Sequence, residues 1–206
     1  MTTLQGEDME RDIELAKKDL LEMKPSYFVT KWIMGTLPYV FDGDEISFLR
    51  WREFIANKLN VDPTDIIVTG SACLGFSLNP AKHMKNFDEK SDIDVCIVSG
   101  YYFDTAWREL LSARISDPTF ASMRKALEDH KSRLIYYGTI ATDWILPVLS
   151  FGRQWNEIIT ASRKYADLKD HEIHFRIYKD RRSVSDYQII SVKQCQNEMI
   201  GGIDNG

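Results

Sequence analysis

Positive charge is the first thing this chain is short of. Its 206 residues carry 26 Lys and Arg against 31 Asp and Glu, a formal net charge of −5. Proteins that live on a nucleic-acid duplex neutralise phosphates with a cationic surplus, so standing duplex DNA binding is not expected. Cysteine is also scarce: Cys73, Cys96 and Cys195 are odd in number and widely spaced. That pattern excludes a disulfide framework and a cysteine zinc cluster, and idle thiols suit a reducing cytoplasm. No run approaches the eighteen or so apolar residues of a membrane span. The opening Met1-Thr-Thr-Leu-Gln-Gly-Glu-Asp8 lacks both the basic and the apolar region of a secretory leader. The expectation is therefore a soluble cytoplasmic protein with no membrane partner. Repeats and low-complexity tracts are missing too. What is present is ordinary globular material, 44% hydrophobic and 28% charged. It suffices for one domain spanning residues 1–206 but not for two large cores.

Periodicity divides this domain. Met9, Ile13, Ala16, Leu20 and Met23 fall at helical spacing, and Pro25 stops the pattern. The aromatic stretch from Ser26 to Phe41 reads as a short helix and a buried connection. Asp44 looks like an N-cap for a helix burying Phe48, Trp51, Phe54, Ile55 and Leu59, and Val61 to Asp65 is the turn that closes it. Residues 1–60 are thus a helical part packed on the rest. Beyond them the period changes. Ile66 to Thr69 and Ile93 to Val98 read as short strands separated by a loop over 79–91, and helical patterns return at about 101–114 and 117–133. From His171 to Tyr178, Ile173, Phe175 and Ile177 alternate with Glu172, His174 and Arg176, a half-buried strand. Ser183 opens a last helix. Few short strands among many helices predict an α/β or α+β domain, a small mixed sheet flanked by helices.

Chemistry concentrates in two pieces, Val68-Thr-Gly-Ser-Ala-Cys-Leu-Gly75 and Ser91-Asp-Ile-Asp-Val-Cys-Ile-Val98. On a strand, Asp92 and Asp94 point to one face with Cα atoms about 6.5–7 Å apart. Two carboxylates side by side repel unless one takes up a proton or a cation joins them. Mg2+ prefers such hard oxygen ligands together with substrate phosphates. A pair of ions about 3.5–4 Å apart polarises both the attacking and the leaving oxygens of phosphoryl transfer. The first piece supplies a complementary element. Gly70 lets a phosphate approach the main chain because it has no Cβ, and Ser71 offers a hydroxyl next to it.

In that order, Gly70-Ser71, a loop, then Asp92-Ile-Asp94 resembles the signature of the DNA polymerase β-like nucleotidyltransferase superfamily. Gly-Ser-Ala-Cys-Leu-Gly-Phe-Ser, Phe87 and Ser-Asp-Ile-Asp-Val are most similar to small bacterial nucleotidyltransferase-domain proteins, over about thirty residues, 68–98. The resemblance implies that Gly70 and Ser71 grip an NTP triphosphate and that Asp92 and Asp94 bind Mg2+, two ions in all. A nucleoside monophosphate would pass from the NTP to an acceptor hydroxyl on RNA, a partner protein or a small molecule. Superfamily members include toxins and antitoxins, antibiotic-modifying enzymes, second-messenger synthases and phage-defence proteins.

Two departures accompany the resemblance. The Ser71-to-Asp92 interval is long for the superfamily, and its insert holds Lys82, His83 and Lys85, read either as phosphate contacts or as a solvated basic loop. The superfamily also places a third carboxylate on a later strand. The matching strand here presents His174 or Arg176 where an aspartate is expected, with Glu172 on the same face at the strand's start. Asp143 and Asp180 are further candidates. An imidazole suits proton abstraction near neutrality, so Glu172 and His174 join Asp92 and Asp94 as catalytic candidates. Without a third carboxylate, a weakened nucleotide-sensing or partner-binding module is the alternative. Tyr101 and Tyr102 or a tryptophan are candidates to stack on a base, and Arg181-Arg182 to contact an anion.

Overall fold

The computed structural model describes residues 12–113, 118–165, 168 and 171–201. Residues 7–11 of the expected first helix, with Met9, lie outside the described residues, as do 114 and 117. The fold mixes α-helices with one four-stranded sheet, as the change of period at residue 66 predicts.

Helix α1 (Ile13–Glu22) begins where the Asp12 carboxylate accepts the Leu15 N–H at 2.8 Å, which satisfies one of the donors a helix start leaves free. Pro25 ends that pattern and also opens α2 (Pro25–Val29), since a first helical residue needs no N–H partner. The chain continues through a π-helical turn at Thr30–Met34. Asp44 caps α3 (Glu45–Leu59) by accepting the Ser47 N–H at 2.8 Å, and Phe48, Trp51, Ile55 and Leu59 form its buried face. Next come β1 (Ile66–Thr69), the one-turn α4 (Gly70–Leu74) and β2 (Ile93–Val98). They are followed by α5 (Gly100–Ser112), α6 (Arg124–Asp129) and β3 (Thr139–Ala141). The order closes with α7 (Gly152–Arg163), β4 (Ile173–Tyr178) and α8 (Arg181–Gly201). Among the described residues, no helix is long and apolar enough to cross a membrane.

The sheet order is β1-β2-β4-β3, with β2 and β4 parallel at the centre and antiparallel pairs on either side. Because side chains alternate along a strand, each central strand serves two purposes. Ile93, Val95 and Ile97 of β2 and Ile173, Phe175 and Ile177 of β4 are buried in the main core with Trp51 and Trp155. On the opposite face, Cys96, Val98 and Tyr178 pack with Ile67 and Val184 in a smaller cluster. That second face ends in polar side chains, Asp94 beside His174 in register. The strand pattern therefore seats the core and exposes the site at once.

Several elements differ from the expected ones. Helix α7 carries Trp155, Ile158, Ile159 and Ser162 at helical spacing, but Arg153, Gln154, Asn156 and Glu157 dilute the signal. Strand β3 has only three residues, too few to show alternation. The expected helix over 117–133 is a 3-10 segment (Pro118–Met123), α6 and a π-turn (His130–Leu134). Helix α8 starts two residues before Ser183, whose N–H and hydroxyl both bond the Asp180 carboxylate, at 2.7 and 2.9 Å.

His130 joins α6 to β3. Its Nε2 accepts the Ala141 N–H at 3.0 Å, so in the neutral ring Nδ1 carries the proton and donates to the Ala126 carbonyl. Burial lowers its pKa, against the raising influence of the Ala126 bond. A folded pKa below the unfolded value of about 6.5 means that acid favours the unfolded chain. The His130 contribution is fully present above that value and is lost as pH falls below it towards the folded pKa. Thermal unfolding of wild type and His130→Gln between pH 7.5 and 5 checks this: the wild-type midpoint should fall more steeply on acidification. Parallel pH profiles would remove His130 as the cause.

Candidate functional site

Strand β1 delivers Thr69 into register with Asp94 of β2, so the residue after Thr69 must turn directly over the Asp94 side chain. Gly70 makes that turn at φ +65°, and a Cβ there would lie 2.9 Å from Asp94 Oδ2. Both facts demand glycine, since left-handed backbone and close approach each penalise a side chain. Ser71 follows as the second residue of α4. Gly75 closes that single turn, again left-handed at φ +83°, where a Cβ would come within 2.8 Å of Ile13.

A cleft of about 450 Å3 opens at this turn, with Gly70, Ser71, Asp92 and Asp94 all on its wall. Asp94 belongs to β2, and Asp92 sits one residue before the strand begins. Strand β4 contributes Arg176, and α8 contributes Tyr187, Gln188, Ser191 and Gln194. From the insert, Asn79 and Lys82 reach the cleft, whereas Lys85 is paired with Asp88 at 2.6 Å. Of Lys82, His83 and Lys85, Lys82 alone lines the cleft.

The position expected to hold a third carboxylate is occupied by His174, in register with Asp94 on the parallel neighbour. Its Nδ1 donates to Asp143 Oδ1 at 2.9 Å, leaving Nε2 3.7 Å from Glu172 Oε2 and 4.0 Å from Asp92 Oδ1. Asp143 lies just past β3, the strand on the other side of β4, so the sheet order brings it next to His174. The hydrogen bond to Asp143 raises the His174 pKa, against partial burial, and Asp92 and Asp94 add to the rise. Desolvation raises the Asp94 pKa despite its opening onto the cleft, and the charges of Arg176 and His174 oppose it. A carboxylate held in this way gains from a cation.

The inner end of the cleft is polar as well. Arg176 donates from Nη1 to the Tyr187 hydroxyl at 3.0 Å and lies 5.3 Å from the centre of that ring. Gln188 is 7% exposed, and its amide makes no hydrogen bond to the described residues. Gln188 lines the cleft and offers its amide to a ligand there. Cys96 also lines the cleft, but burial pushes its thiol up to about 12, which leaves it protonated and inert as a nucleophile.

The remaining candidates have structural employment. Asp180 caps α8. Arg181 bonds Asp65 and Thr64, and Arg182 pairs with Asp186 at 2.9 Å. The Tyr102 hydroxyl donates to the Leu59 carbonyl, and Tyr101 is exposed; neither lines the cleft. His171 donates from Nδ1 to the Ser91 carbonyl and packs on Phe87. The residues that sequence reasoning did not nominate are those of α8, where Gln188, Ser191 and Gln194 recur every three positions. This polar stripe on a helix reads as solvent-facing unless the neighbouring sheet is known.

Comparison of the chain with protein-family models, curated proteins and solved structures returned no match.

Proposed function

We propose that the protein is a nucleotidyltransferase that moves a nucleoside monophosphate from an NTP to an acceptor hydroxyl with the help of Mg2+. One observation carries this reading: the Gly70 main chain lies directly against the Asp94 carboxylate, with Ser71 and Asp92 on the same cleft wall. A phosphate held at Gly70-Ser71 is then next to the carboxylates that would hold its cation. The donor set fits, because Asp92 and Asp94 offer hard oxygens and Asp94 makes no Lys or Arg ion pair among the described residues, with only the more distant charge of Arg176 acting on it. Mg2+ bound there supplies neutralisation of the developing charge at the transferring phosphoryl group. Ser71 donates its hydroxyl to a phosphate oxygen, and Gly70 makes the left-handed turn that sets Ser71 beside the Asp94 carboxylate. The acceptor oxygen forms a bond to the α-phosphorus as the bond to the bridging oxygen breaks, pyrophosphate leaves, and the hydroxyl proton passes to solvent water in the open cleft. Gln188 and Arg176 offer donors for the rest of the nucleotide or for the acceptor.

The acceptor belongs to RNA, protein or a small molecule, and the three buried free cysteines suit a reducing cytoplasm. The test is incubation with α-labelled NTPs, Mg2+ and each acceptor class, following pyrophosphate release and label transfer. Turnover that needs Asp92 and Ser71 supports the reading. His174 in place of a third carboxylate favours a second reading, a nucleotide-sensing module. NTP binding by calorimetry with no pyrophosphate release over long incubation would select it. Neither binding nor turnover would discard both.

A further inference from the structure

We infer that Asp92, Glu172 and His174 form a mixed nitrogen and oxygen metal site, with Asp143 positioning the imidazole, that takes a first-row transition ion such as Mn2+ in preference to Mg2+. The inference deepens the nucleotidyl-transfer reading and rests on it in sharing Asp92.

The three residues each present one ligand atom, and these atoms all lie within 4.8 Å of one another. Ligands about 2.1 Å from a common ion stand at most about 4.2 Å apart. The His174–Glu172 and His174–Asp92 separations of 3.7 and 4.0 Å meet that limit. They are also too long for hydrogen bonds, which lie near 2.7–3.2 Å. The spacing is that of groups facing a shared position rather than each other. Glu172 is the most exposed of the three side chains, at 70%, so it can close the remaining gap by rotation at little cost.

The tautomer points the same way. Because Nδ1 donates to Asp143, the neutral imidazole keeps its lone pair on Nε2, towards Asp92 and Glu172. Histidine ligands to metals are held in this manner, with a carboxylate fixing the ring through its other nitrogen. Charge supplies an independent argument. Asp92, Asp94, Glu172 and Asp143 converge on one imidazole, and none of the four has a lysine or arginine within ion-pair distance among the described residues. Elsewhere on the molecule, Asp19, Asp65, Asp88 and Asp186 each have one. A cation shared by these carboxylates would relieve their mutual repulsion. Replacing one carboxylate of an all-oxygen set by imidazole shifts preference from Mg2+ towards later divalent ions. His174 is thereby assigned to the metal rather than to proton abstraction.

The probe is Mn2+ added to the nucleotide-free full chain, followed by electron paramagnetic resonance and calorimetry, with Mg2+ as competitor. We expect Mn2+ to bind, nitrogen hyperfine coupling to be visible, and a large molar excess of Mg2+ to be needed to displace it. His174→Ala should abolish the nitrogen coupling, and Glu172→Gln should weaken binding. Asp143→Asn should weaken it about 10- to 100-fold with unchanged circular dichroism, an effect that a purely structural Asp143 would not produce. Absence of Mn2+ binding, absence of nitrogen coupling, or coupling that survives His174→Ala overturns the inference. The two readings fail separately. Mg2+-supported pyrophosphate release that persists in His174→Ala, with no nitrogen coupling in wild type, leaves transfer standing and removes this site. Nitrogen-coupled Mn2+ without NTP turnover or binding does the reverse.

Discussion

Asp94→Asn should lower NTP-dependent pyrophosphate release by about a thousandfold while raising the thermal midpoint near pH 7.5. The activity effect follows from charge. A carboxylate holding the catalytic cation contributes several kcal/mol of stabilisation at the phosphoryl group, and each ~1.4 kcal/mol is tenfold in rate. The stability effect follows from desolvation. Desolvation against the sheet raises the Asp94 pKa although its side chain is exposed to the cleft. Arg176 and His174 offset this with no ion pair to Asp94 among the described residues. A group whose folded pKa exceeds its unfolded value destabilises the fold once pH is high enough to ionise it. Asparagine has nearly the same shape and no charge to desolvate, so the variant keeps the close fit under Gly70 and loses the penalty. Steady-state pyrophosphate release and a melting curve on the same preparation read both effects. A variant that turns over at the wild-type rate would remove Asp94 from the machinery. One that is inactive and also strongly destabilised would recast it as a structural residue. Opposite signs for activity and stability are what a site held ready for a cation produces.

Trp51→Ala should cost about 3–5 kcal/mol of unfolding free energy, the usual range for removing a buried aromatic. Trp51 is fully buried in α3, with ring centres 5.4 Å from Phe41 and 6.5 Å from Phe48. It belongs to the core cluster that also holds the buried isoleucines of β2 and β4. Its deletion leaves a cavity between the helical first third and the sheet that neighbouring rings cannot fill without leaving their rotamers. Trp51→Phe is the informative companion. The buried indole N–H of Trp51 has no acceptor among the described residues, so phenylalanine gives up ring volume but also discards an unsatisfied donor worth about 1–3 kcal/mol. Chemical denaturation should rank the phenylalanine variant well above the alanine one and closer to wild type. Equal losses would mean that the N–H is satisfied in solution.

Legibility varied with how local each signal is. Asp44, Ser47 and the buried positions of α3 were readable because capping and the 3.6-residue period act within a few neighbours. The two central strands were readable because their core-facing residues recur at every second position, Ile93, Val95 and Ile97 in β2 and Ile173, Phe175 and Ile177 in β4. Helix α7 was not, since its apolar positions are outnumbered by solvated ones, and β3 was not, since three residues carry no period. At the site, Gly70, Ser71, Asp92 and Asp94 stood out as a spaced motif, and the cleft brings all four together. Asp143 could be noticed only as an aspartate outside any clear strand. Its meaning came from β3 lying beside β4, which sets it against His174 across 31 residues of chain.

The order of residues alone thus specified which segments fold locally, which face of each strand turns inwards, and which oxygens lie near a glycine-serine turn. Those are consequences of backbone sterics and side-chain alternation, which act over short distances along the chain. The packing of the strands in the order β1-β2-β4-β3 decided the rest. It seated α8 over the polar end of the sheet, set Gln188 on the cleft wall, and gathered carboxylates from three separate segments around one imidazole. Such groupings arise from contacts between distant segments, and no local pattern in the chain encodes them.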